Sequence, residues 1–197
     1  MRALTLVILL LLVAVPGCAS SRQARVESAL LADMPPADFT LAVTVMRPVP
    51  LGALINARTE PPRSGALRPA RYVVEADAVL RAAIGYGATE QTFPPRTRQL
   101  SAAQLADLWN ALRSSALVDP NHSDLVGKLP DLESFSRDTE GRGGYCVSFS
   151  IAGDRRVLAI DEADPAAADA RALVERLNRL AWVQPPTTTD DPTEPTP

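Results

Sequence analysis

Few side chains of this sequence are suited to covalent or metal chemistry. Cys18 and Cys146 are its only cysteines, and His122 is its only histidine. Cys146 as nucleophile with His122 as base is one conceivable catalytic pair. However, the preceding Gly143-Gly144-Tyr145 matches no known nucleophile motif, and one histidine is fewer than histidine-based metal sites use. We therefore predict no catalytic residue, no metal and no cofactor, with Cys146 packed as a small hydrophobic residue.

Two loop segments share some features with ion-binding and phosphate-binding motifs. Residues 119–124 begin like a calcium loop, but Asp124 stands where that loop needs glycine, and Pro130 stands where it needs glutamate. The glycines within 141–144 are followed neither by the Lys-Ser/Thr pair of a phosphate loop nor by a helix start. We interpret 119–124 as a turn rich in Asp and Asn, and the acidic and glycine-rich stretch after it as a solvated connection.

Arginines concentrate in and beside two proline-rich loops. They are Arg47, Arg58, Arg63, Arg68, Arg71, Arg96 and Arg98. Clustered guanidinium groups can recognise carboxylate or phosphate. Because Lys128 is the only lysine, the same abundance also fits a compositional preference for arginine, and we favour that interpretation. Whether the long loop Arg47–Pro69 is functional stays open.

The amino-terminal residues predict where in the cell the protein is located. Arg2 is followed by an uncharged run from Ala3 to Val15, too short for a membrane span, which needs roughly 20 residues, but typical of a signal peptide. The run ends in Val15-Pro16-Gly17-Cys18. This segment resembles the lipobox of bacterial lipoproteins, in which the cysteine is lipidated and becomes the first residue. A plain secreted protein is the alternative.

The resemblance implies a bacterial envelope protein anchored to the membrane through a lipid on Cys18. Ala19-Ser20 lacks the aspartate that is associated with inner-membrane retention, so in a cell with an outer membrane the resemblance favours that membrane, with the protein facing the periplasm or the exterior. Loss of Arg2 with the leader changes the net charge from −3 to −4. This mild acidity, without a basic stripe, argues against nucleic acid as a partner.

Four regions are predicted. Residues 1–17 form the signal peptide, 18–37 a lipidated tether with one or two helical turns, and 38–183 a folded domain. Residues 184–197 form a Pro- and Thr-rich tail that has too little apolar surface to fold.

Within the domain, hydrophobic periodicity predicts strands and helices. Alternation predicts strands at Phe39–Met46, Tyr72–Asp77, Val79–Tyr86, Tyr145–Ile151 and Arg156–Asp161, with a type II′ turn at Gly153-Asp154. A helix spans Leu100–Leu117, with Ser101 and Gln104 as a capping box and Leu105, Leu108, Trp109 and Leu112 as its apolar stripe. A second helix starts at Asp164-Pro165 and buries Leu173, Val174 and Leu177.

The predicted order is β–ββα–ββα. We therefore expect an α+β fold: one antiparallel sheet of about five strands, with two amphipathic helices packed on one face. Trp109 and Leu177 are expected to face the same sheet from different helices.

The run Arg71-Tyr-Val-Val-Glu, followed by Thr97 to Trp109 (TRQLSAAQLADLW), resembles a recurrent bacterial extracellular domain of unknown function. In that domain a hairpin precedes a Leu-Ser-x-x-Gln-Leu helix start, and a second hairpin and helix follow. The similarity covers Phe39 to Trp182, and it implies a fold and a lipoprotein setting but no activity.

The first functional hypothesis is a lipid-anchored binding or accessory module that acts through its sheet face or loops on an envelope protein or polymer. A proteinaceous inhibitor of an envelope or extracellular enzyme is an alternative. A cysteine-dependent enzyme using Cys146 and His122 is a further alternative.

Overall fold

The computed structural model describes residues 17–46, 68–85, 88–120, 122, 124–126 and 143–181. The helices are α1 (Gly17–Leu30), α2 (Ala102–Arg113) and α3 (Ala167–Ala181), with a 3₁₀ turn at Ala116–Val118. The strands are β1 (Thr40–Met46), β2 (Ala70–Val74), β3 (Val79–Ile84), β4 (Arg96–Gln99), β5 (Gly144–Ile151) and β6 (Asp154–Asp161). Most of the predicted leader, most of the Arg47–Pro69 loop and the Pro- and Thr-rich tail lie outside the described residues.

The described strands form one antiparallel sheet in the order β4-β3-β2-β1-β5-β6. One face of this sheet is apolar and lies against the helices. Its central side chains are fully buried and include Leu41, Val43, Val45, Tyr72, Val74, Tyr145 and Val147. The predicted α+β class is confirmed, with six strands instead of about five.

Helix α2 begins with the predicted capping box. The Ser101 hydroxyl accepts a hydrogen bond from the Gln104 amide at 3.2 Å, and the Gln104 side chain accepts one from the Ser101 amide at 3.0 Å. Leu108, Trp109 and Leu112 are buried, as the apolar stripe predicts. The helix ends at Arg113, earlier than predicted, and a 3₁₀ turn continues the chain to Val118.

Helix α3 starts two residues after the predicted first position, Pro165. The Asp164 carboxylate accepts a hydrogen bond from the Ala166 amide at 2.8 Å, so a capped turn precedes the helix. Leu173, Val174 and Leu177 are buried as predicted. Trp109 and Leu177 are both fully buried in the same core, which agrees with the expected packing of two helices on one sheet face.

The β5–β6 turn differs from the prediction by one residue. Because Ile151 pairs with Asp154, the two turn residues are Ala152 and Gly153, and both have positive φ, 52° and 79°. Two positive φ angles define a type I′ turn, not type II′. Asp38 explains the shift, since its carboxylate accepts hydrogen bonds from the amides of both turn residues, at 3.1 and 2.5 Å.

The segment predicted as a tether contains more structure than one or two helical turns. Helix α1 covers Gly17–Leu30, and its Val26, Ala29 and Leu30 pack against the domain core. The Trp109 indole Nε1 then donates to the Ala32 carbonyl oxygen at 2.9 Å. The chain from α1 to β1 is therefore in contact with the rest of the fold.

Candidate functional site on the helix-free face

The helix-free face is the side of the sheet formed by the strand residues that alternate with the buried core positions. One row of this face crosses five strands in the order Ala83, Arg71, Thr44, Cys146 and Ala159. Thr44 is 1 % exposed and Cys146 is 6 % exposed, so the centre of the row is buried although no described helix lies on it. The row brings together the most chemically distinctive side chains of this face.

Arg71 is the charged residue of the row. Its Nη1 donates a hydrogen bond to Thr44 Oγ1 at 2.7 Å, while its buried Nε has no acceptor within the described part of the chain. Burial lowers the pKa of the guanidinium from its ordinary value, against the opposing influence of Cys146 and Glu90. Arginine nevertheless stays charged, so Arg71 holds a half-buried positive charge without a described carboxylate in an ion pair with it.

Cys146 is a free cysteine on β5, where it pairs with Thr44 of β1. Burial raises the pKa of its thiol to about 12, and the negative charge of Glu90 acts in the same direction. Arg71 and Arg155 oppose this shift. The thiol is therefore protonated at neutral pH, and since the thiolate is the reactive form, Cys146 is a poor nucleophile.

His122, the other half of the conceivable catalytic pair, is held at the β6 edge. Its carbonyl oxygen accepts a hydrogen bond from Arg156 Nη2 at 3.0 Å, and its buried Nδ1 has no partner among the described residues. No hydrogen bond joins His122 to Cys146 within the described chain. The structure does not bring the two residues together into a catalytic pair.

The predicted turn near residues 119–124 is hydrogen-bonded to β6. Asp124 Oδ1 accepts hydrogen bonds from the amides of Val126 and Val157, both at 3.0 Å. The Asp119 carbonyl oxygen accepts one from Arg156 at 2.9 Å. These contacts agree with a turn built by Asp side chains. Among the described residues, no three His, Cys, Asp or Glu side chains are grouped closely enough to hold a metal ion.

The arginines singled out in the sequence do not form one patch. Arg47, Arg58 and Arg63 lie outside the described residues. Arg71 and Arg96 lie on the helix-free face, whereas Arg98 pairs with Leu80 on the opposite face. Its Nη1 donates to the Leu180 carbonyl oxygen at 3.1 Å and so satisfies the end of α3.

Two further arginines, which sequence reasoning missed, share the helix-free face. Arg81 pairs with Val73, and Arg155 pairs with Ser150, so both point away from the helices. The strand alternation around Leu80 and Leu158 was the signal that could have found them. Arg81 is already compensated, because it lies 3.0 Å from the Glu75 carboxylate and 4.5 Å from the centre of the Phe93 ring.

Arg71, Arg96 and Arg155 therefore differ from Arg81. Within the described residues, no carboxylate forms an ion pair with any of the three. Arg96 donates only to the neutral Gln99 side chain, at 3.2 Å, and Arg155 is exposed. Among the described residues, the helix-free face thus offers guanidinium groups without an ion-pair partner on β2, β4 and β6; Arg71 is the most buried of them, and the negative charge of Glu90 acts on it from beyond ion-pair distance.

Comparison with known proteins identifies no relative: no family model, no curated protein and no solved structure matches the chain. In the part of the chain that the structure describes, no helix is both long enough and apolar enough to cross a membrane.

Proposed function

We propose that this chain is a lipid-anchored binding module of the bacterial envelope, which binds a carboxylate- or phosphate-bearing partner through its helix-free face. The anchor is supported by Val15-Pro16-Gly17-Cys18, and Cys18 is the residue that would carry the lipid. The setting is supported by the resemblance to a bacterial extracellular domain. Ala19-Ser20, without the aspartate associated with inner-membrane retention, favours the outer membrane in a cell that has one.

The observation that carries the binding proposal is the environment of Arg71. A charge removed from water is costly unless an opposite charge or hydrogen bonds compensate it. Thr44 supplies one neutral acceptor and Glu90 a negative charge beyond ion-pair distance, but the buried Nε is left without any acceptor among the described residues. An anionic group of a ligand would supply the missing acceptor. Arginine binds carboxylate and phosphate through two parallel hydrogen bonds, which makes these groups the natural ligands.

The state of Cys146 argues against the cysteine-dependent enzyme, because a thiol with a pKa of about 12 supplies almost no thiolate at neutral pH. The inhibitor hypothesis depends on an exposed sheet or a long loop that blocks the cleft of another protein, and most of the Arg47–Pro69 loop lies outside the described residues.

The anchor is tested by mass spectrometry of protein isolated from bacterial membranes. We expect an acylated Cys18 as the first residue, and we expect Cys18→Ser to abolish acylation and detergent partitioning. An unmodified Cys18 on the mature protein would contradict the proposal.

The binding surface is tested by thermal unfolding in phosphate, citrate and chloride at equal ionic strength. A ligand at one hundred times its Kd stabilises the native state by about 2.7 kcal/mol. Phosphate and citrate also stabilise folded proteins non-specifically, because they are excluded from the protein surface. We therefore expect the rise in Tm over chloride to be larger in the wild type than in Arg71→Gln. Arg179→Gln, which makes the same charge change at an exposed position on α3, should show the full wild-type rise. Equal Tm values in the three salts, or the same rise in the wild type and Arg71→Gln, would show that Arg71 is not the binding residue.

A further inference from the structure

The path from Cys18 to the sheet has two parts, and both contact the domain. The first part is α1, whose Val26, Ala29 and Leu30 pack against the core. Ala24 and Ser28 on the same helix are exposed, so α1 is docked by one side of its carboxyl-terminal part. A helix held in this way is not a flexible tether between a lipid and the domain.

The second part, residues 31–39, is fixed at both ends. The Ala32 carbonyl oxygen accepts hydrogen bonds from Trp109 Nε1 at 2.9 Å and from Arg113 Nη1 at 3.1 Å. The Asp33 carboxylate also lies 3.1 Å from Arg113. Asp38 then holds the β5–β6 turn through two backbone amides. This segment returns the chain to the end of the sheet that the β5–β6 turn occupies.

The start of α1 lies at that same end. Arg22 Nε is 3.6 Å from the Asp154 carboxylate, at the first residue of β6. Cys18 precedes Arg22 by about one helical turn, a rise of roughly 6 Å. The other end of β6, Asp161, is about 23 Å away along the strand at 3.3 Å per residue. Cys18 is therefore placed beside the β5–β6 turn and far from the start of α3.

We infer that the lipid-anchored protein has one fixed orientation, with the β5–β6 turn against the bilayer and the opposite end of the sheet away from it. This inference rests on the proposed lipidation of Cys18. Its consequence concerns the candidate site. Cys146 pairs with Ala159, two residues before the end of β6, and Arg71 lies in the same row. The row is thus in the membrane-distal half of the sheet, whereas Arg155 on the same face lies close to the β5–β6 turn. An anionic partner bound at Arg71 therefore comes from the aqueous compartment or a facing surface and is not a headgroup of the anchoring membrane.

The orientation is tested with fluorophores on two single cysteines, in acylated protein that carries Cys146→Ala. Arg155→Cys marks the second residue of β6, close to the β5–β6 turn, and Ala168→Cys marks an exposed position in the first turn of α3. In vesicles of phosphatidylglycerol and phosphatidylethanolamine containing a headgroup-spin-labelled lipid, we expect quenching at position 155 to be at least roughly twofold stronger, since the two strand ends are about 23 Å apart. Equal quenching, or stronger quenching at position 168, would overturn the inference.

The placement of Cys18 relative to the two ends of β6 can also be measured without a lipid. Spin labels on Cys18 and on either Arg155→Cys or Ala168→Cys, in a Cys146→Ala chain without the leader, should give narrow distance distributions. The distance to position 155 should be the shorter one. Broad or equal distributions would overturn the inference whatever the lipidation state. Narrow and unequal distances together with no acylation of native protein would instead overturn the proposed anchor, and with it the membrane orientation, but not the placement of Cys18 beside the β5–β6 turn.

Two double variants distinguish the docking of α1 on the core from the stability of the helix itself. Val26→Asp with Leu30→Asp places two charges on the docked side of α1, and we expect it to broaden the distance from Cys18 to position 155. Ala24→Asp with Ser28→Asp introduces the same charges at the same spacing on exposed positions and should leave that distance narrow. Identical behaviour of the two variants would show that α1 is not held by its apolar side.

Discussion

The Trp109 indole donates a hydrogen bond of 2.9 Å to the Ala32 carbonyl oxygen and so joins α2 to the segment that leads into β1. The same indole meets the Phe39 ring edge-on, with ring centres 5.3 Å apart and an interplanar angle of 71°. Trp109 thus has two separable roles, a polar link to the chain before the sheet and apolar packing within the core.

Substitutions at Trp109 should resolve these roles. Trp109→Phe keeps an aromatic ring but removes the donor, and we expect a loss of about 1 kcal/mol of unfolding free energy plus a contribution from the smaller ring. Trp109→Ala should cost about 3–5 kcal/mol, because it leaves a cavity in the core. Urea unfolding followed by circular dichroism measures both. Equal stability of the wild type and Trp109→Ala would contradict the buried packing.

The β5–β6 turn offers a stabilising substitution. Ala152 has a φ of 52°, a conformation that costs an L-residue other than Gly, Asn or Asp roughly 1–2 kcal/mol. Asn-Gly is the preferred pair for a type I′ turn. Ala152→Asn should therefore raise the unfolding free energy by about 0.5–1 kcal/mol.

The same measurement on Ala168→Asn supplies the control. Ala168 is an exposed residue of α3 without positive φ, so Asn there should cost a few tenths of a kcal/mol through its lower helix propensity. A destabilised Ala152→Asn protein would indicate that the turn is not of type I′.

Periodicity predicted most of the core but could not find β4. Residues 96–99 are Arg-Thr-Arg-Gln, with no apolar side chain to alternate. This strand forms because it lies against the β3 edge, where Thr97 Oγ1 donates to the Leu80 carbonyl oxygen at 2.9 Å. Its existence depends on tertiary pairing, which a local pattern does not contain.

The candidate site could not be predicted from the sequence for a related reason. Alternation assigned Cys146 correctly to the face opposite Tyr145 and Val147. It could not indicate that β1 lies between β2 and β5, which places Thr44 between Arg71 and Cys146. Strand order decides which residues of one face become neighbours, and strand order is a long-range property.

The phenol of Tyr72 should make the fold sensitive to alkaline pH. It donates to Asn178 on α3 at 3.0 Å, and burial raises its pKa from 10.0 to about 12. The unfolded chain loses this proton near pH 10, while the folded protein keeps it. The unfolding free energy should therefore be unaffected by Tyr72 below pH 10 and fall as pH rises from about 10 to about 12.

Urea unfolding at pH 8 and pH 11 tests this prediction. Tyr72→Phe should be less stable at pH 8 by about 1 kcal/mol, because the bond to Asn178 is lost, but should lose less stability between the two pH values. Trp109→Phe changes no titrating group and should show the wild-type pH dependence. A Tyr72→Phe protein with the wild-type pH dependence would contradict the raised pKa.

Cys146 gives the sharpest test between a binding module and a cysteine-dependent enzyme. Alkylation requires the thiolate, and a shift in pKa from 9.0 to about 12 lowers the thiolate fraction at pH 8 by about three orders of magnitude. In a Cys18→Ser chain, iodoacetamide should therefore label native Cys146 at least that much more slowly than a thiol at Arg155→Cys, placed in a chain that also carries Cys18→Ser and Cys146→Ala. Labelling of Cys146 in urea should reach the rate of the exposed thiol, since unfolding removes the burial. If native Cys146 instead reacts as fast as the exposed control, its thiol is activated, and the cysteine-dependent enzyme becomes the leading hypothesis.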